Sequence, residues 1–223
     1  MHYMLNGGRD ERSVLKSAES IELYKQLEIK KVLFIVYALV EEFWQFSWKK
    51  SHSLIRITDM ELRSLTIYDT DEAAITEALA WADFIYFPGG SQKSLLRRMQ
   101  EFGTSEHLAT ALSTGSVKLL GGGSAGAMVM GSWCIVGRRS VKDVMPGLGY
   151  FSGYVIDSHF SERNRLPRLQ AVLEDLTDAR GMGIDEDTAI VFNNKFKIEN
   201  VCGPGTVTVI DKEIIIYDKN SAF

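Results

Sequence analysis

Continuous apolar runs constrain this chain more than any other feature of its sequence. Lys31–Ala38 reads KVLFIVYA and Asp83–Phe87 reads DFIYF, both rich in β-branched or aromatic residues. A strand with one wet face alternates apolar and polar residues, whereas an unbroken run suits a strand covered on both faces. Tyr3–Leu5, ending at Gly7-Gly8, and Leu62–Tyr68 read as further strands. Helical spacing lies between these segments. One stretch carries Leu15, Ile21, Leu23 and Leu27 among charges, a second is the Trp- and Phe-bearing Glu41–Ser53, and a third is Asp71–Trp81. Asp71 suits the positive end of a helix. After Pro88-Gly89-Gly90 more helical material, broken around Gly103, leads to an apolar Val117–Leu120. The alternation predicts a three-layer α/β fold, with a mostly parallel central sheet flanked by helices. Beyond Gly183 the character changes. Thr188–Phe192, Phe196–Val201, Thr206–Ile210 and Glu213–Tyr217 are short strand-like stretches, expected as antiparallel additions near the C-terminus. No long linker or repeat interrupts the pattern, so residues 1–223 are expected to form a single domain.

Composition narrows the functional classes. Hydrophobic residues at 45% and charged residues at 24% sit near globular averages, which argues against a disordered or fibrous chain. A formal net charge of −4 offers no basic footprint, so no nucleic-acid partner is expected. Cys134 and Cys202 make neither a C-x-x-C pair nor a disulfide framework, and no metal is expected. The N-terminal MHYMLNGGRDER lacks an apolar signal core, and the run Val32–Val40 is far short of a membrane span. A cytoplasmic protein without a membrane partner is the expectation.

The chemistry concentrates around Leu119-Leu120-Gly121-Gly122-Gly123-Ser124-Ala125-Gly126-Ala127. Gly122–Gly126 matches G-x-S-x-G, placed between an apolar strand and a run of small residues that can open a helix. A serine there sits on a sharp turn with its hydroxyl clear of the sheet. The N–H of Ala125, beside a helix N-terminus, can donate to a developing oxyanion. The same residues satisfy G-x-G-x-x-G as Gly121, Gly123 and Gly126. A dinucleotide site would place that pattern after the first strand, with an acidic residue at the next strand end about 20 positions on. Here it follows roughly the fifth strand, and Asp143 lies in a Gly- and Pro-rich stretch. A nucleophile turn, a nucleotide-binding oxidoreductase and a tightly packed structural turn therefore stand as alternatives.

A serine nucleophile needs a base, and the base needs an orienting group. His2 is terminal, and His52 and His107 lie in polar helical surroundings. His159 ends the strand-like run Tyr154–Ser158, at the kind of strand end that borders the ligand crevice of parallel sheets. The carboxylate is less determined. Asp185, Glu186 and Asp187 are adjacent, a pattern that also makes an ordinary solvated turn, and Asp157 and Asp143 remain candidates.

Taken together, Gly121–Ala127 (GGGSAGA), Asp157–Leu169 (DSHFSERNRLPRL), Gly181–Thr188 (GMGIDEDT) and Phe87–Gln92 (FPGGSQ) resemble the peptidase E and cyanophycinase family of serine peptidases. The resemblance implies a flavodoxin-like, glutamine-amidotransferase-like sheet, no cofactor, and a small peptide substrate bearing aspartyl residues. It leaves room for a homodimer. It assigns Ser124 as nucleophile, His159 as general acid/base and Glu186 as orienting carboxylate, with oxyanion N–H groups from Gly90 and Ala125. Gly89, Ser91, Gln92, Asp157, Ser158, Arg163, Arg165 and Arg168 match segments that shape the substrate site, although arginines beside the stripe Leu166, Leu169, Leu173 and Leu176 also suit a solvated helix face. Ser158 stands where cyanophycinases carry glutamine, and Ser91 where they carry aspartate, so the resemblance favours a small acidic peptide over cyanophycin. An esterase and a catalytically silent ligand-binding relative are the rival readings.

Overall fold

The apolar runs become inner strands of a seven-stranded sheet. The computed structural model describes residues 1–39, 60–137 and 143–223, so the helix expected over Glu41–Ser53 lies outside the described residues, as does His52. The sheet comprises β1 (His2–Asn6), β2 (Lys31–Ile35), β3 (Glu61–Leu65), β4 (Phe84–Phe87), β5 (Leu119–Gly123), β10 (Ala189–Phe192) and β11 (Ile198–Cys202). Its order is β11-β10-β1-β5-β4-β2-β3. The five strands from β1 to β3 run parallel, and β10 and β11 join antiparallel at the β1 edge.

The unbroken runs are explained by burial on both faces. Alternate residues Leu33, Ile35, Ile85 and Phe87 enter one core, while Val32, Phe34, Phe84 and Tyr86 enter another. Each fully buried Leu, Ile or Phe contributes roughly 1.5–3 kcal/mol. The second core is closed by α1 (Glu11–Leu15) and α2 (Ala18–Gln26), through Val14, Leu15 and Tyr24. The first is covered by α3 (Glu72–Trp81), α4 (Gln92–Glu101) and α5 (Thr104–Ser113). Asp71 caps α3 by accepting from the N–H of Ala74 at 2.9 Å, and Gly103, at φ 65°, is the break between α4 and α5.

The structure departs from the expectation of one central sheet. A second sheet, of six strands, contains β6 (Gly131–Ile135), β7 (Val144–Pro146), β8 (Phe151–Ser158), β9 (Arg180–Ile184), β12 (Val207–Ile210) and β13 (Ile214–Tyr217) in the order β13-β12-β9-β8-β6-β7. The cause is the brevity of α6 (Ala125–Met128). A return crossover to a parallel neighbour needs a dozen residues or more. The few residues between β5 and β6 cannot carry the chain back, so β6 starts a new sheet. Its parallel strands β6, β8 and β9 pack into the first core through Val155, Ile156 and Met182. The four late strands are antiparallel, as expected, but divide between the sheets: β10 and β11 extend the first, β12 and β13 the second. Among the described residues, no helix is long and apolar enough to cross a membrane.

Candidate active site

The parallel strands deliver five turns to one place. β5 ends at Gly123, and Ser124 follows with φ 49° and ψ −114°, a conformation rare for a residue with a side chain. The turn is fixed from both sides. Ser124 N–H donates to Asn6 O at 2.9 Å, tying it to the end of β1, and Ser124 O accepts from Met128 N–H at 3.0 Å to begin α6. Close approach requires glycine at position 126, where a Cβ would lie 1.8 Å from Phe87 O of β4. That places α6 directly against the sheet and its first-turn N–H groups at the strand ends.

The second sheet supplies the histidine. His159 follows β8 with φ 51°, and its N–H donates to Gly7 O at 2.9 Å, across to the end of β1. Its Nε2 lies 2.8 Å from Ser124 Oγ, and its Nδ1 lies 2.8 Å from Glu186 Oε1. An ionised carboxylate only accepts, so Nδ1 carries the proton and the Nε2 lone pair faces the serine hydroxyl. Burial lowers the pKa of His159 below its ordinary 6.5; the Glu186 hydrogen bond works against that shift, and the nearby Arg163 charge adds to it. The imidazole is therefore neutral at neutral pH.

Among the carboxylates left open by the sequence, only Glu186 meets the ring. Asp185 is buried and turned to the backbone, accepting from the N–H groups of Ser161 and Thr206 at 3.0 and 2.9 Å. Asp187 accepts from Asp10 N–H at 3.0 Å. Asp157 is fully buried and takes Arg165 at 2.7 Å and Arg168 through two oxygens. Asp143 precedes β7, its carbonyl accepting from Val136 N–H at 2.8 Å.

Other candidate residues fall into distinct roles. Gly89 and Gly90 form the turn after β4, and a Cβ on Gly89 would lie 3.2 Å from that of Ser124. Ser91 caps α4, its hydroxyl accepting from Ser94 N–H at 3.2 Å, and Gln92 reaches the sulfur of Met128. Ser158 is fully buried, and among the described residues its Oγ has no hydrogen-bond partner. Arg165 and Arg168 are tied to Asp157, whereas Arg163 is exposed and, among the described residues, pairs with no carboxylate. Arg163, Asn164, Arg165 and Arg168 line an open recess of about 420 Å³. Arg163 N–H donates to His159 O at 3.2 Å, so this recess adjoins His159.

Sequence reasoning passed over the turn after β1. Gly8 lies under the Ser124–His159 pair: a Cβ there would be 2.7 Å from His159 Nε2 and 2.9 Å from Ser124 Cβ. Asn6 Oδ1 accepts from Gly8 N–H at 2.6 Å, and exposed Arg9 stands 3.7 Å from the second oxygen of Glu186. The signal was the Gly7-Gly8 pair after the first strand, legible only as a chain break without the fold.

The sequence pattern of peptidase family S51 matches residues 4–199. The chain belongs to peptidase family S51. It is 38% identical over 140 residues to a cyanophycinase of Geminocystis herdmanii (strain PCC 6308), covering 60% of this chain and 51% of that protein. It is 33% identical over 156 residues to a cyanophycinase of Synechococcus elongatus, covering 67% and 48%. The chain thus spans about half the length of these relatives. A peptidase from an acI-B1 Actinobacterium has the same fold, with a TM-score of 0.79 at 22% identity over 99% of this chain and 95% of that one. A putative peptidase E from Listeria monocytogenes EGD-e matches with a TM-score of 0.66 at 21% identity, covering 92% and 98%. The S51 family, rather than a dinucleotide-binding one, thus accounts for the glycine run. The flavodoxin-like α/β expectation agrees with these neighbours.

Proposed function

We propose that this S51 chain is a serine-type peptidase that cleaves a small, acidic, aspartyl-containing peptide. The observation that carries this reading is the unbroken chain Ser124 Oγ, His159 Nε2, His159 Nδ1, Glu186 Oε1, with both gaps at 2.8 Å. Ser124 attacks the amide carbonyl while His159 Nε2 takes its proton. Glu186 holds the ring in the right tautomer and stabilises the imidazolium. Gly90 and Ala125 N–H groups receive the negative charge on the carbonyl oxygen. His159 returns the proton to the leaving amine, and the acyl-enzyme forms. Water then attacks the ester, with His159 again as base, and Ser124 is regenerated.

The lowered pKa of His159 supports its role, because a base must be unprotonated when substrate arrives. Arg163 is the residue proposed to take a substrate carboxylate: it is exposed, beside the base and at the edge of the recess. Arg165, Arg168 and Asp157 brace that segment from beneath. The relatives that match by sequence are cyanophycinases, but Ser91 serves as a helix cap and Ser158 is buried, so the small acidic peptide remains the proposed substrate.

The test is hydrolysis of Asp-X dipeptides, α- and β-linked, by wild type and Ser124→Ala. Cleavage by wild type alone is expected. Equal turnover by Ser124→Ala would remove Ser124 from the mechanism, and no cleavage of any dipeptide would remove the substrate class.

A further inference from the structure

The oxyanion turn after β4 is made of Gly89 and Gly90, the most permissive backbone a protein can use. A donor for an oxyanion works only when its direction is fixed beforehand. Something outside the turn must therefore impose it. Two tethers are visible. Ser91 N–H donates to Ala38 O at 2.8 Å, and Gly89 N–H donates to Glu11 Oε1 at 2.9 Å. Gly90 lies between them, and among the described residues no acceptor takes its N–H. The loop bearing Ala38 is itself clamped, since Arg98 of α4 donates to Tyr37 O at 2.6 Å and Leu39 O at 2.7 Å.

We infer that Glu11 is a positioning residue for catalysis, holding the Gly89 peptide so that the Gly90 N–H points at the developing oxyanion. The inference rests on the serine-peptidase reading above. Glu11 opens α1, and its carboxyl group lies in a slot left by missing side chains. A Cβ on Gly123 would come within 2.6 Å of Glu11 Cδ, and one on Gly89 within 2.8 Å of Glu11 Oε1. Those two glycines end the strand and turn that flank Ser124. The fully buried Tyr86 hydroxyl borders the same slot, 2.4 Å from the Cβ that Gly123 lacks. Desolvation first, and then the Glu11 charge, keep it protonated by pushing its pKa well up.

The backbone leading to Glu11 is fixed on the opposite side of the site. Asp10 N–H donates to Asp187 Oδ1 at 3.0 Å, and Asp187 N–H donates to Gly8 O at 3.0 Å. The turn Gly7–Glu11 thus straps the loop of Glu186 to the oxyanion turn, with the nucleophile between. Ionised acceptors make the stronger hydrogen bonds, so a carboxylate suits this tether. Glu11 touches no reacting atom in this scheme, and its effect passes through Gly89.

The experiment is the rate of Ser124 labelling by diisopropyl fluorophosphate, which needs no knowledge of the natural substrate. Ser124 Oγ bonds to phosphorus, the P–F bond breaks, fluoride leaves, His159 takes the serine proton, and the phosphoryl oxygen occupies the oxyanion site. Wild type should label at Ser124 and Ser124→Ala should not. Glu11→Ala and the isosteric Glu11→Met should label at least about tenfold slower, and on any cleaved dipeptide lose about 10- to 100-fold in kcat with KM within about threefold. Glu11→Gln, which keeps the acceptor oxygen, should stay within about threefold of wild type. Circular dichroism melts separate slow labelling from unfolding, and the Met variant preserves the packing if the Ala variant does not fold. Labelling of folded Glu11→Met at the wild-type rate would overturn the inference, as would Glu11→Gln as slow as Glu11→Met. Failure of wild type itself to label would remove the serine-hydrolase reading and the inference with it.

Discussion

Replacing Gly8 with alanine adds a single methyl group at the centre of the site. The new Cβ would stand 2.6 Å from His159 Cε1, 2.7 Å from Nε2 and 2.9 Å from Ser124 Cβ. Ordinary carbon contacts are about 3.5–4.0 Å, so the ring must retreat by about 1 Å. The Ser124–His159 separation of 2.8 Å then opens to about 3.8 Å, beyond hydrogen-bond range. A misplacement of that size at a reacting pair costs about 100-fold in rate. The substitution also puts a side chain at φ 97°, outside the allowed regions for L-residues, at a stability cost of at least about 1–2 kcal/mol. The assay is the labelling rate of Ser124 by diisopropyl fluorophosphate, run beside a thermal melt of the same sample. A large rate loss in a protein that still melts cooperatively is expected. Labelling of Gly8→Ala at the wild-type rate would refute the geometry, because the methyl group has nowhere else to go.

Further outcomes follow from the same contacts. Activity should fall as pH drops through the lowered pKa of His159, since only the neutral ring can accept the serine proton, and kcat/KM against pH reads that limb directly. Arg163→Gln should move the limb to higher pH, because removing a nearby positive charge eases protonation of the ring. The same variant should raise KM for Asp-X dipeptides, and an unchanged KM would remove Arg163 from the substrate site. Asp157→Ala should cost about 3–5 kcal/mol in urea unfolding, because it leaves Arg165 and Arg168 without their buried partner. Glu186→Gln should keep the fold and lose about 10⁴-fold in kcat, by analogy with losing tautomer control in other triads.

Much of this architecture was legible because burial writes itself into local pattern. KVLFIVYA and DFIYF suit strands covered on both faces, and the two cores divide their residues alternately, as that reading requires. That Ser124 and His159 come together was legible because a serine in a glycine turn and a histidine at a strand end each have a local signature, and the two side chains lie 2.8 Å apart. The second sheet was not, because it follows from the shortness of α6, and a four-residue helix leaves almost no periodic signal. Asp157 illustrates a different limit. Nothing in DSHF distinguishes a carboxylate facing substrate from one buried against two arginines eight and eleven residues on. Glu11 was hidden for the same reason at longer range, since its partner Gly89 lies 78 residues away.

The most direct test of the account is whether an acyl group passes through Ser124. Mixing the protein with p-nitrophenyl acetate and following p-nitrophenol release, with intact-mass and peptide mapping of the quenched protein, reads this in one experiment. A burst of about one equivalent per chain and an acetyl ester on Ser124, both absent in Ser124→Ala, are expected. No acetyl adduct, or an adduct on another residue with Ser124→Ala reacting like wild type, would contradict it.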